Sequence, residues 1–153
     1  MSRDFLEVTY DKFLFKVKAD YLYHPEESWA KEDGDLITVG VTDFFQKTAG
    51  DVAFIELPEI GAKVTRGNEV GVIETIKITV SPISPVSGLI KEVNSGLGDN
   101  PQWVNNDPYG EGWLFKVVPS NWEADKKDLM DAETYFPRME GKIREEMAKK
   151  QEP

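Results

Sequence analysis

The stretch Gly71–Gly88, "GVIETIKITVSPISPVSG", carries a single cationic side chain, Lys77, among isoleucine, valine and threonine. Its first half has the β-branched composition of a strand, while Pro82 and Pro85 exclude a helix from the second half. The residues alone leave three roles open for Lys77: a solvated lysine on a strand, a Schiff-base lysine of lowered pKa, or the attachment point of a covalent cofactor. The rest of the chain must decide between them.

The composition of the 153 residues argues against several classes of protein. The formal net charge of −10 opposes binding to nucleic-acid phosphates. It either favours docking to basic surfaces of partner proteins or only keeps the protein in solution. There is no cysteine and only one histidine, His24, which we expect at the surface or at a sheet edge. We therefore expect no catalytic and no metal-binding residues. Without a signal peptide or a membrane span, the sequence predicts a cytoplasmic monomer with no membrane partner.

Short runs of β-branched residues separated by Gly and Pro predict a small β barrel or sandwich. The first strand is expected over Thr9–Val17, where apolar and polar residues loosely alternate. A short internal helix is expected at "TDFFQKTAG", with Thr42 or Asp43 as its N-cap and Gly50 at its end.

The residue pattern changes after Pro119: β-branched residues become rare, and apolar residues then recur at the spacing of a helix. This segment is predicted to start at Ser120 or Asn121, to be interrupted near Pro137, and to fray at its tail. We therefore expect an N-terminal extension (1–20), a β domain (21–119) and a C-terminal helical segment (120–153) packed on that domain.

The β region contains a weak internal repeat on either side of Lys77. The stretch from Gly50 resembles the stretch from Gly88, and the matched pairs include Val52 with Ile90, Ile55 with Val93, and Val64 with Val104. Such a repeat indicates two similar β units related by a pseudo-two-fold axis, unless the similarity is accidental.

The segment "GVIETIKITVSPISPVSGLIKEVN" resembles the lipoylation site of the glycine cleavage H-protein family. The family pattern is approximately G-x-V/I-E-S/T-V/I-K, followed after a few residues by S-P-V/I-S-G. The segments "ITVGVTDFFQKTAGDVAFIELPEIGAKV", "DNPQWVNNDPYGEGWLFKVVPS" and "LMDAETY" are also similar to the family, in the same order. The resemblance covers roughly Tyr21 to Phe136 and favours cofactor attachment.

The resemblance implies a mainly β fold, the lipoyl/biotinyl barrel-sandwich hybrid, with a short internal helix and a helical C-terminus. Lys77 would lie at the tip of a tight hairpin, joined to lipoate by an amide bond. Glu74 and Gly88 match further positions of the attachment motif and would help the attaching enzyme to recognise the hairpin. The residues by themselves predict no turn here, because "ETIKIT" lacks the Asn-Gly or Gly-x signal of a tight hairpin.

The function implied by the resemblance is that of a non-enzymatic carrier, whose cofactor performs the chemistry. A lipoate ligase or lipoyl transferase would attach lipoate to Lys77. Glycine decarboxylase would load an aminomethyl group, an aminomethyltransferase would remove it, and dihydrolipoamide dehydrogenase would reoxidise the carrier. A biotin carrier, which expects methionine beside the lysine, and an enzyme in its own right are the competing interpretations.

Two departures from the family pattern bear on the cargo. Ile78-Thr79-Val80 replaces residues that are usually small and polar, and Ser28 stands where many members have the glutamate of H-E-W, with Glu26 and Glu27 as possible substitutes. These departures leave a second cargo open, namely sulfur-bound intermediates carried for a heterodisulfide-reductase-like complex in sulfur oxidation.

Overall fold

The computed structural model describes residues 4–151, in which the chain is mainly β with short helices and a long C-terminal helix. The strands are β1 (Phe5–Tyr10), β2 (Phe13–Lys18), β3 (Leu22–His24), β4 (Ser28–Asp33), β5 (Leu36–Val41), β6 (Val52–Glu56), β7 (Lys63–Val64), β8 (Val72–Thr75), β9 (Thr79–Val80), β10 (Gly88–Val93) and β11 (Phe115–Pro119). The α-helices are α1 (Asp43–Ala49), α2 (Trp103–Asn106), α3 (Trp122–Lys127) and α4 (Ala132–Gln151), and a 3₁₀ helix spans Ser95–Gly98. The predicted fold class is confirmed. The predicted fraying concerns the tail "KKQEP", most of whose side chains lie outside the described part of the chain.

The strands form three antiparallel sheets. The largest has the order β3-β4-β5-β11-β10-β7, the second has the order β6-β8-β9, and β1 and β2 form a separate hairpin. The two larger sheets enclose a first core of aliphatic side chains, which includes Val39, Ile73, Ile90 and Val117. The hairpin β8–β9 therefore belongs to the smaller sheet and projects from this core.

A second core, which we call the aromatic cluster, lies on the other side of β4. Its buried members are Phe15, Val17, Tyr21, Tyr23, Trp29, Phe44, Tyr109, Ala132, Tyr135, Met139 and Ile143. Trp29 belongs to the aromatic cluster and the next residue, Ala30, to the aliphatic core. Because successive strand residues point to opposite faces, the first half of β4 is covered on both sides, whereas its residues 31–33 are exposed.

The prediction of one strand over Thr9–Val17 was wrong, because this region contains a β-hairpin. β1 and β2 pair in register, and the chain reverses at Asp11, whose φ of 57° is one that aspartate tolerates better than most residues. The turn brings Phe15 and Val17 into the aromatic cluster, where both are buried. Folding back the extension thus covers apolar surface that a single extended strand would leave exposed.

Local signals correctly predicted both ends of α1. The Thr42 hydroxyl accepts a hydrogen bond from the Phe45 N–H at 3.1 Å, which makes Thr42 the N-cap. At the other end, Gly50 has a φ of 92° and donates its N–H to Gln46 O at 3.2 Å. These caps fix both ends of α1, and the last turn of α1 contacts Thr75 and Lys77.

The predicted interruption near Pro137 was wrong, because α4 continues through this residue. The break lies earlier, between α3 and α4, where Met130 and Tyr23 exchange backbone hydrogen bonds of 2.8 and 2.9 Å. Pro137 lies in the second turn of α4, so the carbonyl that loses its helical partner belongs to the first turn. The adjoining turns bury Tyr135 and Met139 completely, and this burial outweighs the lost hydrogen bond.

The internal repeat holds only in part. Val52 and Ile90 are both buried strand residues of the aliphatic core, as their match predicts. The match of Val64 with Val104 was wrong, because Val64 lies in β7 and Val104 in α2. The insertion before Val104 therefore forms helical turns that have no counterpart in the first half.

Candidate cofactor attachment site

Lys77 lies at the tip of the hairpin formed by β8 and β9. The strands pair as far as Glu74 and Thr79, and the Thr75 N–H donates to Ile78 O at 2.8 Å to close the turn. Lys77 and both flanking isoleucines are exposed, with Ile76 at 75% and Ile78 at 46% of their full accessibility. The turn thus places an exposed lysine at the surface of the molecule.

Thr75 holds this turn together. Its hydroxyl oxygen accepts hydrogen bonds from the Lys77 N–H at 3.1 Å and from the Ile78 N–H at 3.0 Å. The same hydroxyl donates to Ala49 O at 2.8 Å, which ties the tip to the last residue of α1. Thr75 was not among the residues singled out from the sequence, although threonine is known to bond backbone amides a few residues ahead. Its hydroxyl thus stabilises a turn that contains neither glycine nor asparagine.

The end of α1 provides the surface on which the tip rests. The Lys77 ammonium donates to Thr48 O at 3.3 Å, so the side chain lies along the C-terminal turn of α1. A Cβ added to Gly50 would lie 3.4 Å from Ile76 Cγ1 and 3.7 Å from Lys77 Cγ. These are ordinary van der Waals distances, so the φ of 92° is what favours glycine at position 50.

The structure brings Glu74 close to Lys77 but places Gly88 elsewhere. Glu74 is exposed on β8, opposite Phe54 of β6 and Thr79 of β9. Gly88 opens β10 in the larger sheet, where it pairs with both Val64 and Pro119. The two motif residues hence occupy different sheets, and only Glu74 adjoins the lysine.

Gly88 has a packing reason to be glycine. An added Cβ would lie 2.7 Å from Val117 Cγ1 and closer still to the backbone carbonyl oxygen of Val118. Because backbone atoms of a paired strand have little room to move, a side chain here would separate β10 from β11. The motif glycine thus serves the sheet that supports the hairpin.

The sequence comparisons agree with this geometry. The family model described as glycine cleavage H-protein matches residues 21–142. The chain belongs to the glycine cleavage H-protein family. The glycine cleavage system H protein of Carboxydothermus hydrogenoformans is 44% identical over 124 residues, which cover 81% of this chain and 95% of that relative. The H protein of Rubrobacter xylanophilus is 44% identical over 125 residues, covering 82% and 96% of the two chains.

A solved structure gives the same result for the fold. The crystal structure of a glycine cleavage system H protein from Mycobacterium marinum aligns with a TM-score of 0.72 at 33% sequence identity. The alignment covers 80% of this chain and 98% of that one. The family match begins only at residue 21, so the hairpin β1–β2 lies outside it.

The departure at Ser28 is buried, whereas Ile78 and Thr79 of the departure at residues 78–80 are exposed and Val80 is half-buried. Ser28 is 1% exposed, and its hydroxyl has no hydrogen-bond partner within the described residues. Glu27 is buried as well, and its carboxylate accepts hydrogen bonds from Thr42 at 2.7 Å, from Lys142 at 2.6 Å and from Tyr135. Glu27 is therefore engaged in attaching α4, whereas Glu26 remains exposed.

His24 lies in β3, at the edge of the larger sheet, as the sequence predicts. Its Nδ1 accepts the Glu26 N–H at 3.0 Å, and burial lowers its pKa from the ordinary 6.5. Within residues 4–151, no group of acidic or histidine side chains could hold a metal ion. No helix in the same residues is long and apolar enough to cross a membrane.

Proposed function

We propose that this chain is a lipoyl carrier of the glycine cleavage system, with lipoate joined to Lys77 by an amide bond. The observation that carries the proposal is the position of Lys77, a single exposed lysine at the tip of a short hairpin. A ligase must enclose the acceptor lysine, and the projecting tip makes the amine accessible without unfolding of the sheet. Glu74 is exposed on the adjoining strand, and we expect the attaching enzyme to recognise the hairpin by contacting this residue.

The residues around the tip fit the group. The amine has one hydrogen bond, to Thr48 O, and an amide nitrogen would retain an N–H to donate to the same carbonyl. Thr75 keeps the tip in one conformation, so the arm would start from a fixed point. The bound lipoyl group would supply a disulfide that opens to carry a group and closes again on oxidation. The protein itself contributes positioning and acts as a non-catalytic subunit.

The cargo that we propose is an aminomethyl group. Membership of the family supports glycine decarboxylase as the donor, an aminomethyltransferase as the acceptor and dihydrolipoamide dehydrogenase as the oxidant, with a lipoate ligase or lipoyl transferase before them. The net charge of −10 supports docking to basic surfaces on such partners. A cytoplasmic location and a monomeric state stay predictions from the sequence.

A sulfur-bound cargo also stays a prediction from the sequence. The exposed isoleucines beside Lys77 give the tip an apolar rim, but an apolar rim does not select sulfur over an aminomethyl group. The proposal of glycine cleavage therefore rests on the family, and the departures at residues 78–80 affect the fit of the partners.

The experiment that tests the function uses the lipoylated full chain, glycine and a glycine decarboxylase loaded with pyridoxal phosphate. Intact mass is expected to show that the carrier in its disulfide form gains one aminomethyl group as the disulfide opens to a thioether and a thiol, and that the Lys77→Arg variant gains none. If the lipoylated chain gains no such group while a known H protein does so in parallel, the glycine cleavage assignment is wrong.

A further inference from the structure

Asn105 of α2, a residue outside the hairpin, binds the segment on which the tip of the hairpin rests. Its Oδ1 accepts a hydrogen bond from the Val52 N–H at 2.8 Å, and its Nδ2 donates to Gly50 O at 3.0 Å. The same Nδ2 donates to Gln46 Oε1 at 3.2 Å. One half-buried side chain therefore bonds to the last turn of α1, to the residue that caps this helix and to the first residue of β6.

These groups need a partner because α1 ends here. Backbone carbonyls and amides at the C-terminal end of a helix lack partners within the helix, and an unpaired polar group is costly where water is excluded. Asn105 supplies a donor and an acceptor from one planar amide, at positions more than fifty residues away along the chain. The path of the chain from α1 into β6 thus depends on a side chain of α2.

The tip of the hairpin bonds to other groups of the same segment. The Thr75 hydroxyl donates to Ala49 O at 2.8 Å, and the Ile76 N–H donates to Asp51 O at 3.2 Å. These two carbonyls lie on either side, in sequence, of the carbonyl that is bound from α2. We call residues 49–52 the platform. The platform is therefore held by α2 and in turn holds the tip.

We propose that Asn105 is a positioning residue for Lys77, because it fixes the platform to which the tip is bonded; this inference rests on the proposed lipoylation. Within residues 4–151, Asn105 makes no hydrogen bond to the tip, so it acts through the platform. When the platform is fixed, the tip has one position. When the platform is released, the tip samples several positions, and only some of them suit an attaching enzyme.

This role predicts which kinetic constant of lipoylation changes. The ligase forms the amide bond between the lipoyl carbonyl carbon and Lys77 Nζ, while the bond from that carbon to the phosphate of lipoyl-AMP breaks and AMP and a proton leave. If the tip has the competent position for only a fraction of the time, the apparent KM for the protein rises by the inverse of that fraction. The kcat stays unchanged, because the bound tip already has the competent position.

The test compares the lipoylation kinetics of the native chain, Asn105→Ala and the control Asn94→Ala, with lipoate, ATP and a lipoate ligase. Asn94 is a matched control because its Nδ2 also donates to backbone carbonyls, those of Glu111 at 2.7 Å and Trp113 at 2.8 Å, which lie outside the platform and the tip. We expect Asn105→Ala to raise KM about threefold to tenfold without a change in kcat, and the control to keep both constants. Urea denaturation establishes beforehand that each protein is folded under the assay conditions.

A second variant retains part of the clamp. Asn105→Asp has nearly the same size and keeps an acceptor for the Val52 N–H, but it loses the donors to Gly50 O and Gln46 Oε1. It should raise KM in the same way as Asn105→Ala, and it serves as the test if the alanine variant does not fold.

Amide hydrogen exchange of the unmodified chain gives a readout that does not depend on lipoylation. In Asn105→Ala the Val52 N–H should exchange faster because it loses its acceptor, and the Ile76 N–H should do so because the platform moves. The Leu114 N–H, which donates to Val39 O at 2.8 Å in the larger sheet, should keep its native rate.

The outcomes separate positioning from general stability and from the proposed function. A native KM and native exchange at Ile76 in folded Asn105→Ala would overturn the positioning role and leave lipoylation intact. An equal rise of KM in Asn94→Ala, or faster exchange at Leu114 as well, would assign the effect to lost stability and would also overturn the role. If the native chain gains no lipoyl group, the proposed function is rejected, while exchange at Ile76 still decides whether Asn105 positions the tip.

Discussion

The hairpin tip around Lys77 and the aromatic cluster beneath α4 differ in almost every physical respect. Ile76, Lys77 and Ile78 are exposed, and few hydrogen bonds hold the turn. Tyr135 and Met139 in the cluster are completely buried, and the rings of Tyr23 and Tyr135 stack at a centroid distance of 4.5 Å. The molecule thus separates the exposed tip, where we propose attachment, from the buried region that stabilises the fold.

The ionisable groups of the two regions also differ, because those of the aromatic cluster are buried and Lys77 at the tip is exposed. Burial raises the pKa of Tyr23, Tyr109 and Tyr135 well above the ordinary 10.0, so these phenols stay neutral and act as donors or ring surfaces. Tyr135 donates to the buried Glu27 carboxylate, which also pairs with Lys142 at 2.6 Å. The ion pair of Glu27 with Lys142 therefore lies within the fold, whereas the exposed Lys77 ammonium donates to the Thr48 carbonyl at the surface.

The largest effect on stability is expected from the cluster. Met139→Ala removes a completely buried side chain, so the free energy of unfolding should fall by about 2–5 kcal/mol, measured by urea denaturation. Lipoylation of the remaining folded protein should proceed at the native rate, because the tip makes no contact with this residue. A strongly reduced rate in fully folded Met139→Ala would show that the two regions are coupled.

A smaller effect on stability, but a direct effect on the tip, is expected from Thr75→Val. The change keeps the shape of the side chain and removes the acceptor of the Lys77 and Ile78 amides, at a cost of about 1–2 kcal/mol. The initial rate of lipoylation should fall, because the turn loses its fixed conformation. The matched control is Thr79→Val, on the exposed face of β9. Equal lipoylation rates for both variants would contradict the role of Thr75.

These two regions also show which features the sequence can predict. The caps of α1 at Thr42 and Gly50 are local, so their residue types indicated both ends correctly. The turn at Lys77 was not predicted from the residues, because Thr75 closes it through its hydroxyl instead of an Asn-Gly or Gly-x pair. The bond from Thr75 to Ala49, which ties the tip to α1, joins residues that are distant in the sequence. The family resemblance, on the other hand, implied both the hairpin and the attachment lysine.

Tertiary packing explains the two incorrect predictions about the ends of the chain. Pro137 disfavours a helix locally, yet burial of Tyr135 and Met139 keeps α4 continuous. The turn at Asp11 has only a weak signal, and the hairpin is stabilised when Phe15 and Val17 enter a cluster formed by distant residues. In both cases the side chains pack against residues that are distant in the sequence, so the local sequence does not indicate the packing.

The smallest effect is expected from the pH dependence of stability. Burial lowers the pKa of His24 in the folded state, with Arg66 and Lys142 acting in the same direction and Glu26 opposing them. Below about pH 6.5 the unfolded chain therefore binds the proton more readily, so stability falls as the pH drops through the folded pKa.

The His24→Gln variant should lack this contribution. Denaturation midpoints compared at about pH 7 and about pH 5 should change less in the variant than in the native chain. The same change in both proteins would show that other groups account for the acid sensitivity. The lipoylation rate at about pH 7 should be unaffected, because His24 lies at the edge of the other sheet.

The most direct test of the central claim is the intact mass of the full chain after incubation with lipoate, ATP and a lipoate ligase, followed by peptide mapping. The account predicts one lipoyl addition, located on Lys77. The addition should disappear in Lys77→Arg and persist in Lys91→Arg, which changes another exposed strand lysine. Lipoylation of folded Lys77→Arg, or an addition that maps to a different lysine, would contradict the assignment of the hairpin tip as the attachment site.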